Sequence, residues 1–209
     1  LAATPSFSVA PAFRNDLPFD VLKDFAAVSW MLTTQIVLIG GPGFSPTNFD
    51  EYIAYARANP GKILWASSGF GSSNHLSGEL LHSEIKASAT FVQYKGGGPA
   101  IMFPDLLAGR VHLYASAVEN ALPQIRAGKF KPIVMLSTTR SAALPGVKTA
   151  MEQGYPEIEQ PNYIGFVTRA GTNPAIIAKL SAELAKIAKS PEAIRSAGEL
   201  VPKTAETVR

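Results

Sequence analysis

Residues 62–100 read KILWASSGFGSSNHLSGELLHSEIKASATFVQYKGGGPA, and this stretch decides the fold. The apolar run KILWAS predicts a short strand, SGFGSSN a loop and HLSGELLHSEI a helix. A second strand, TFVQY, then ends in the loop KGGGPA. This order of strand, loop, helix, strand and loop is typical of folds in which strands and helices alternate.

Both loops of this unit are rich in small residues. These residues are Ser67, Ser68, Gly69, Gly71, Ser72, Ser73, Gly96, Gly97 and Gly98. Small residues let a ligand approach the backbone closely. A helix that begins at the first loop also directs unpaired N–H groups and the positive end of its dipole toward that ligand. Capture of an anion is therefore the working hypothesis.

The same alternation continues along the chain. Residues 111–116 (VHLYAS) and 131–137 (KPIVMLS) predict strands, with an apolar helical stripe from Val118 to Ile125 between them. The predicted fold class is α/β, with mostly parallel sheets flanked by helices. Ligands of such sheets bind at the carboxyl ends of the strands, so the loops 67–73, 96–98 and 115–117 should lie together there.

The flanking segments add further elements. Residues 25–39 predict two consecutive strands, and Thr47 with Asp50 predicts a capping box at the start of the next helix. Residues 162–168 (NYIGFVT) predict a strand, and Asn173 with Pro174 opens another helix. The opening LAATPSFSVAPAF is typical of a loop that follows a strand, so we expect a truncated start.

Composition limits the function classes. The chain has 209 residues, 46% of them hydrophobic, which suffices for one large or two small domains. Its 19 basic and 16 acidic residues give a net charge of +3, but the basic residues form no run, which argues against nucleic acid. It has no cysteine, hence no disulfide or thiolate metal site. No membrane span or signal sequence is evident, so we expect a soluble protein whose export signal has been removed.

Two other site types were compared with anion capture. GFGSSN has the first two glycines of a dinucleotide fingerprint but Asn74 in place of the third, which disfavours a nucleotide. His75, Glu79 and His82 share one helix face, as metal ligands can. Leu76, Leu80, Leu81 and Ile85 occupy the opposite face, so a solvated polar face is the favoured interpretation, with no metal.

Several segments together resemble one family. They are ASSGFGSSNHLSGELL (66–81), FVQYKGGGPA (91–100), DLLAGRVHLYAS (105–116), ALPQIRAGKFKPIVMLSTTRSAALPGVKTAMEQGYPEIE (121–159) and FVTRAGTNPAIIAKLSAELAKIAKSPE (166–192). In this order they resemble the periplasmic solute-binding components of tripartite tricarboxylate transporters, the group that includes TctC and the Bug proteins. The match covers nearly the whole chain and is more specific than any single glycine loop.

The resemblance implies a two-lobed, type II periplasmic binding protein that closes on a small carboxylate. Lobe one would comprise residues 1–39 and 137–209, and lobe two residues 40–136. The family's N-terminal strand and last helix have no counterpart, so lobe one would be incomplete. The implied ligand-binding residues are Ala3, Thr4, Ser68, Gly69, Phe70, Gly71, Ser72, Ser73, Ser116 and Tyr163. Members commonly carry an aspartate where Ser116 stands, so the resemblance implies a plain carboxylate rather than an amino acid.

The resulting hypothesis is a periplasmic binding protein without catalysis or cofactor. Its ligand would be a dicarboxylate, a tricarboxylate or an aromatic acid, its partners the membrane subunits of the transporter, and its state monomeric. One alternative is an α/β enzyme that acts on an anionic substrate, with His75 as acid or base beside Ser73. Another is an interaction module whose ligand pocket is vestigial.

Overall fold

The structure is a computed structural model that describes residues 2–3, 11, 16–160 and 162–191, with the side chains of residues 2, 3 and 32 left out. Within these residues the elements are, in chain order, β1 (Ala2–Ala3), α1 (Val21–Asp24), β2 (Phe25–Thr33), β3 (Ile36–Gly40), α2 (Phe49–Ala58), β4 (Ile63–Ser67), α3 (Ser73–Glu84), β5 (Ala89–Gln93), α4 (Pro99–Leu107), β6 (Leu113–Ala117), α5 (Val118–Arg126), β7 (Lys131–Met135), a 3₁₀ turn (Met151–Gln153), β8 (Tyr163–Arg169) and α6 (Pro174–Ala188).

The chain divides into two compact units. Unit 1 comprises residues 1–34 and 161–209, and unit 2 comprises residues 35–160. The resemblance implies divisions after residues 39 and 136 instead. The difference arises because β3 pairs with both β6 and β7, and because the Gln160 N–H donates to the Leu136 carbonyl oxygen at 2.7 Å. These contacts place β3 and the segment 137–160 in unit 2.

Unit 2 is built on one five-stranded sheet in the order β5-β4-β6-β3-β7. Strand β4 pairs in parallel with β5 and β6, whereas β3 runs antiparallel to β6 and β7. Four of the five strands therefore share one direction, as the strand and helix alternation predicts. The carboxyl ends of β4, β5 and β6 lie side by side at one edge of this sheet.

Both faces of the five-stranded sheet are buried. All of β3 is buried, and its alternating residues divide between two cores: Ile36 and Leu38 in one, Val37 and Ile39 in the other. The first core contains residues of α2 and α3 and the second contains residues of α4 and α5. Helices therefore cover both faces, as parallel-type sheets require.

The described strands of unit 1 form a three-stranded sheet in the order β1-β8-β2. Both pairings are antiparallel, which corrects the prediction of a mostly parallel sheet in this part of the chain. The reason is topological: β2 leads the chain out of unit 1 and β8 leads it back. Helix α6 packs against β2.

The start of α2 differs by one residue from the predicted capping box. The Asn48 side chain, not that of Thr47, accepts the capping hydrogen bond, from the Glu51 N–H at 3.0 Å. The second hydrogen bond of the box is made by Glu51 rather than Asp50. The Glu51 carboxylate accepts from the Thr47 N–H at 2.8 Å. Among the described residues, no helix is both long and apolar enough to cross a membrane.

Candidate functional site

The loop that joins β4 to α3 occupies the carboxyl end of the central parallel strands. Gly69 has φ +135° and Gly71 has φ +73°, backbone conformations that other residues rarely adopt. A Cβ at either position would have no neighbouring atom within 4 Å. Glycine is therefore required by the backbone conformation and not by crowding. The two glycines fold residues 68–72 (SGFGS) into a compact turn above β4.

Helix α3 presents its N-terminus at the end of this loop. The Ser72 hydroxyl caps the helix by accepting from the His75 N–H at 3.3 Å. Among the described residues, the N–H groups of Ser73 and Asn74 have no acceptor. The Ser73 hydroxyl is buried and likewise has no hydrogen-bond partner within the described part of the chain. Three donors at one helix N-terminus thus have no acceptor among the described residues, and the helix dipole there favours an anion.

Asn74 connects the loop to the sheet, a role that the sequence analysis did not assign to it. Its Oδ1 accepts from the Ser68 hydroxyl at 2.9 Å, from the Ser72 hydroxyl at 3.3 Å and from the Ser68 N–H at 3.4 Å. Its Nδ2 donates to the Ala115 carbonyl oxygen of β6 at 3.1 Å. The signal in the sequence is weak: asparagine is a poor helix former placed just after two serines.

The predicted convergence of the three loops is confirmed by hydrogen bonds. The Tyr94 N–H donates to the Ser67 carbonyl oxygen at 2.7 Å, and the Gly96 N–H donates to the Ser68 carbonyl oxygen at 3.0 Å. These bonds join the loop after β5 to the loop after β4, and Asn74 joins the latter to β6. The carboxyl ends of three strands therefore form one continuous surface of small polar residues.

Ser116 and Phe70 occupy contrasting positions. Ser116 lies within β6 with 1% of its surface exposed, and its hydroxyl donates to the Ala117 carbonyl oxygen at 3.1 Å. Phe70, at the tip of the loop, is 78% exposed, and its ring centroid lies 4.9 Å from that of His75. Two residues before Ser116 in β6, burial raises the pKa of the Tyr114 phenol, while hydrogen bonds with the side chains of Asn74 and Ser68 oppose that rise.

The predicted solvated face of α3 is wrong. His75 and His82 are 7% and 3% exposed, whereas Leu80 is 37% exposed, so the imidazoles face the sheet. The two rings contact Phe91, with centroid distances of 4.8 Å for His75 and 6.1 Å for His82. The reason is that α3 buries its small residues and histidines, among them Gly78, against large aromatic rings of β4 and β5.

The two histidines are engaged by different partners. His82 Nδ1 donates to the Gly78 carbonyl oxygen at 2.6 Å, and its Nε2 accepts from the Tyr52 hydroxyl at 2.7 Å. His75 Nε2 lies 3.7 Å from a carboxylate oxygen of the exposed Glu79. In the part of the chain that the structure describes, no three His, Cys, Asp or Glu side chains are grouped to hold a metal ion.

The enzyme alternative requires a bond between Ser73 and His75. The structure separates these side chains, because His75 Nδ1 accepts from the Gly71 N–H at 3.4 Å while the Ser73 hydroxyl has no partner among the described residues. An imidazole that is turned toward the loop backbone cannot take the proton of Ser73. The pair is therefore not a nucleophile with its base.

The remaining predicted site residues belong to unit 1. Ala3 lies in β1 and pairs with Ile164 of β8, and Thr4 lies outside the described residues. Tyr163 begins β8, where its ring centroid lies 4.7 Å from that of Trp30. Their contribution to ligand binding stays a prediction.

Comparison with known proteins gives consistent matches. The model of the tripartite tricarboxylate transporter family receptor, TctC, matches residues 1–200. Protein BugT of Bordetella pertussis is 31% identical over 198 residues, which is 93% of this chain and 59% of BugT. A protein from the tcbD-tcbE intergenic region of a Pseudomonas species is 30% identical over 92% of this chain and 57% of its own length. The chain thus spans less than two thirds of these curated relatives.

Solved structures share the fold. A periplasmic transporter protein superposes with a TM-score of 0.86 at 31% identity, over 97% of this chain and 68% of that one. An R. palustris protein solved with adipate gives 0.84 at 26% identity, over 96% and 67%. MatC from Rhodopseudomonas palustris, solved with bound malate, gives 0.79 at 28% identity, over 92% and 65%.

Proposed function

The chain belongs to the tripartite tricarboxylate transporter receptor family, a family of solute-binding receptors rather than enzymes, and on that premise we propose that it captures a small carboxylate. The observation that carries the proposal is the N-terminus of α3. There two backbone N–H groups and the buried Ser73 hydroxyl have no acceptor among the described residues. A carboxylate is a ligand that would accept from all three, and the helix dipole favours its charge.

The ligand-binding residues proposed in unit 2 are those of the loop and the first turn of α3. They are Ser68, Gly69, Phe70, Gly71, Ser72 and Ser73. Gly69 and Gly71 hold the backbone in the turn, Ser72 caps the helix, and Ser73 donates to the carboxylate. Phe70 offers an exposed ring that would contact an apolar part of the ligand. The buried hydroxyl of Ser116 would stand behind this surface rather than on it.

The ligand class proposed is a dicarboxylate, a tricarboxylate or an aromatic acid. Two proteins that share this fold were solved with adipate and with malate, both of which are dicarboxylates. The cellular setting proposed is the periplasm, where a monomer would deliver its ligand to the membrane subunits of a tripartite transporter. Contributions of Ala3, Thr4 and Tyr163, and capture of the ligand between two lobes, stay predictions.

Calorimetric titration with malate, adipate, citrate and benzoate tests the proposal. We expect saturable binding of at least one of these acids and no binding of its amide or methyl ester, which lacks the charge. Each acid is also incubated with the protein and analysed for products. Absence of binding to all four acids, or conversion of any of them, would contradict a carboxylate receptor of this kind.

A further inference from the structure

We propose that Asn74 is a positioning residue that sets the shape of the ligand loop without contacting the ligand through its side chain. The inference rests on the proposed function, because it concerns the loop and helix N-terminus that we assign to carboxylate binding. It goes beyond that function by naming the residue that keeps the donors of α3 aligned.

Several groups of the loop meet at one amide, that of Asn74. The Asn74 Oδ1 accepts from the side chain and backbone of Ser68 at one end of the loop and from the Ser72 hydroxyl at the other. The loop closes on itself through this oxygen. An amide oxygen has two lone pairs, so these three donors saturate it and leave it no capacity for a ligand group.

The nitrogen of the same amide anchors the loop to the sheet. The Asn74 Nδ2 donates to the carbonyl oxygen of Ala115, a residue of β6 that is 1% exposed. In addition, the indole N–H of the fully buried Trp65 donates to the Asn74 carbonyl oxygen at 3.1 Å. Loop, helix start and two core strands are therefore tied together at one residue.

Removal of the Asn74 side chain should disturb the loop more than the fold. Among the described residues, the hydrogen bonds of the Asn74 side chain go to Ser68, Ser72 and β6, and alanine is the better helix former in a helix interior. An Asn74→Ala variant should therefore stay folded with a modestly lowered melting temperature, because the buried Ala115 carbonyl oxygen loses this donor. Its loop would lose all four side-chain bonds, so the donors of α3 would no longer be held in one arrangement.

Affinity, melting temperature and amide exchange of Asn74→Ala test the proposal, with the tightest binder among malate, adipate and citrate as the probe. We expect affinity to fall roughly 10- to 100-fold and the amides of residues 68–72 to exchange faster. The matched control is Asn59→Ala, which removes another side-chain to backbone bond, from Asn59 Nδ2 to the Tyr55 carbonyl oxygen, at the opposite end of β4. Asn59→Ala should bind like the wild type.

An Asn74→Asp variant adds a readout that a merely structural residue would not give. Its carboxylate keeps the acceptor for Ser68 and Ser72, but it loses the donor to Ala115 and adds a negative charge beside the anion. The readout is the affinity ratio, which is the affinity of Asn74→Asp divided by that of the wild type at the same pH. We expect this ratio to be lowest at pH 7. The ratio should recover toward pH 4, where an aspartic acid gains a proton and with it a donor.

Three results would overturn the proposal. One is an Asn74→Ala variant that binds the probe within twofold of the wild type, and another is a pH-independent affinity ratio for Asn74→Asp. If the wild type binds no probe, the proposed function is contradicted. Amide exchange then tests separately whether Asn74 orders the loop. Unchanged exchange of residues 68–72 in Asn74→Ala would in that case show that the asparagine does not order the loop.

Discussion

Ser72 and Ser73 are neighbours in the sequence, yet the structure gives their hydroxyls different tasks. Ser72 caps α3, whereas the buried Ser73 hydroxyl has no partner among the described residues. We expect Ser72→Ala to cost about 1 kcal/mol of stability. Ser73→Ala should leave stability unchanged, because it removes no hydrogen bond of the folded protein, but should weaken carboxylate binding by roughly 1.5–3 kcal/mol.

Thermal melting without ligand and calorimetric titration with malate or adipate separate these effects. Ser83→Ala, an exposed position at the other end of α3, serves as the control for a serine to alanine change in the same helix. If Ser73→Ala binds as tightly as the wild type, the carboxylate does not reach this hydroxyl, and the assignment of Ser73 must be abandoned.

His82 gives the second prediction at the scale of a residue. Burial lowers the pKa of its imidazole, although the bond to the Gly78 carbonyl oxygen and the charge of Glu79 act in the opposite direction. The unfolded chain therefore binds a proton more readily than the folded one below a pH of about 6.5. The contribution of neutral His82 to the free energy of unfolding should be fully present above that pH and should decrease as the pH drops through it.

Urea unfolding at pH 7.5 and pH 5.0 measures this loss. In His82→Gln, whose amide can still bond Tyr52 and the Gly78 carbonyl oxygen, the loss should be smaller than in the wild type. Part of the loss should remain, because burial also lowers the pKa of His112. An equal loss in wild type and variant would mean that His82 does not take up the proton on unfolding.

At the scale of an element, the close packing of α3 on the sheet depends on Gly78. A Cβ at this position would lie 2.5 Å from Cε1 of Phe91 and 2.9 Å from Cε2 of Trp65. We expect Gly78→Ala to destabilise the protein by about 1–3 kcal/mol. This net loss would be measured despite the gain of up to about 1 kcal/mol that alanine brings to a helix interior.

Denaturant unfolding of Gly78→Ala beside Ser83→Ala distinguishes packing from helix propensity. Ser83 is exposed, so its replacement should change stability by no more than about 0.5 kcal/mol. A Gly78→Ala variant that is more stable than the wild type would show that the aromatic rings move aside at little cost.

The elements themselves could largely be predicted from the sequence, because apolar runs and helix caps are local signals. The strands around residues 62–67 and 90–94 and the helix between them were found in this way. The orientation of α3 was not. Of its three leucines Leu80 is 37% exposed, whereas Gly78 and the flat imidazoles of His75 and His82 lie against the rings of Phe91 and Trp65. That constraint comes from another part of the chain.

The candidate site was predictable in its loops but not in its internal bonds. The glycines and serines of residues 67–73 indicate a compact polar turn from their spacing alone. The role of Asn74 depends on the Ala115 carbonyl oxygen, which lies 41 residues away in sequence and reaches the loop only through the pairing of β4 with β6. Register between distant strands cannot be derived from local patterns.

At the scale of the whole molecule, the division into two units predicts that unit 2 folds independently. Residues 35–160 are continuous in sequence, and both cores of the five-stranded sheet are built from them alone. We expect this fragment to fold by itself and to unfold cooperatively, because it carries a buried core on each face of its sheet.

Circular dichroism and urea unfolding of the fragment check this expectation, and its affinity for malate or adipate is compared with that of the whole chain. A lower affinity in a folded fragment would be consistent with contributions from Ala3, Thr4 or Tyr163. A fragment that shows no cooperative transition would mean that unit 2 depends on unit 1 for its stability.

Strand β2 is followed by the whole of unit 2 before its partner β8 appears at Tyr163. A ribosome builds the chain from its first residue, so β2 leaves the exit tunnel long before the strand that will cover its edge. Unit 2 can meanwhile complete its sheet, whose last strand ends at Met135. Among the described strands β2 pairs with β8 alone, so until β8 emerges the backbone groups of β2 have no strand partner among them and can pair with other chains. Translation that stalls shortly after Gln160 should therefore yield aggregation-prone chains, and removing residues 1–34 from such chains should relieve the aggregation.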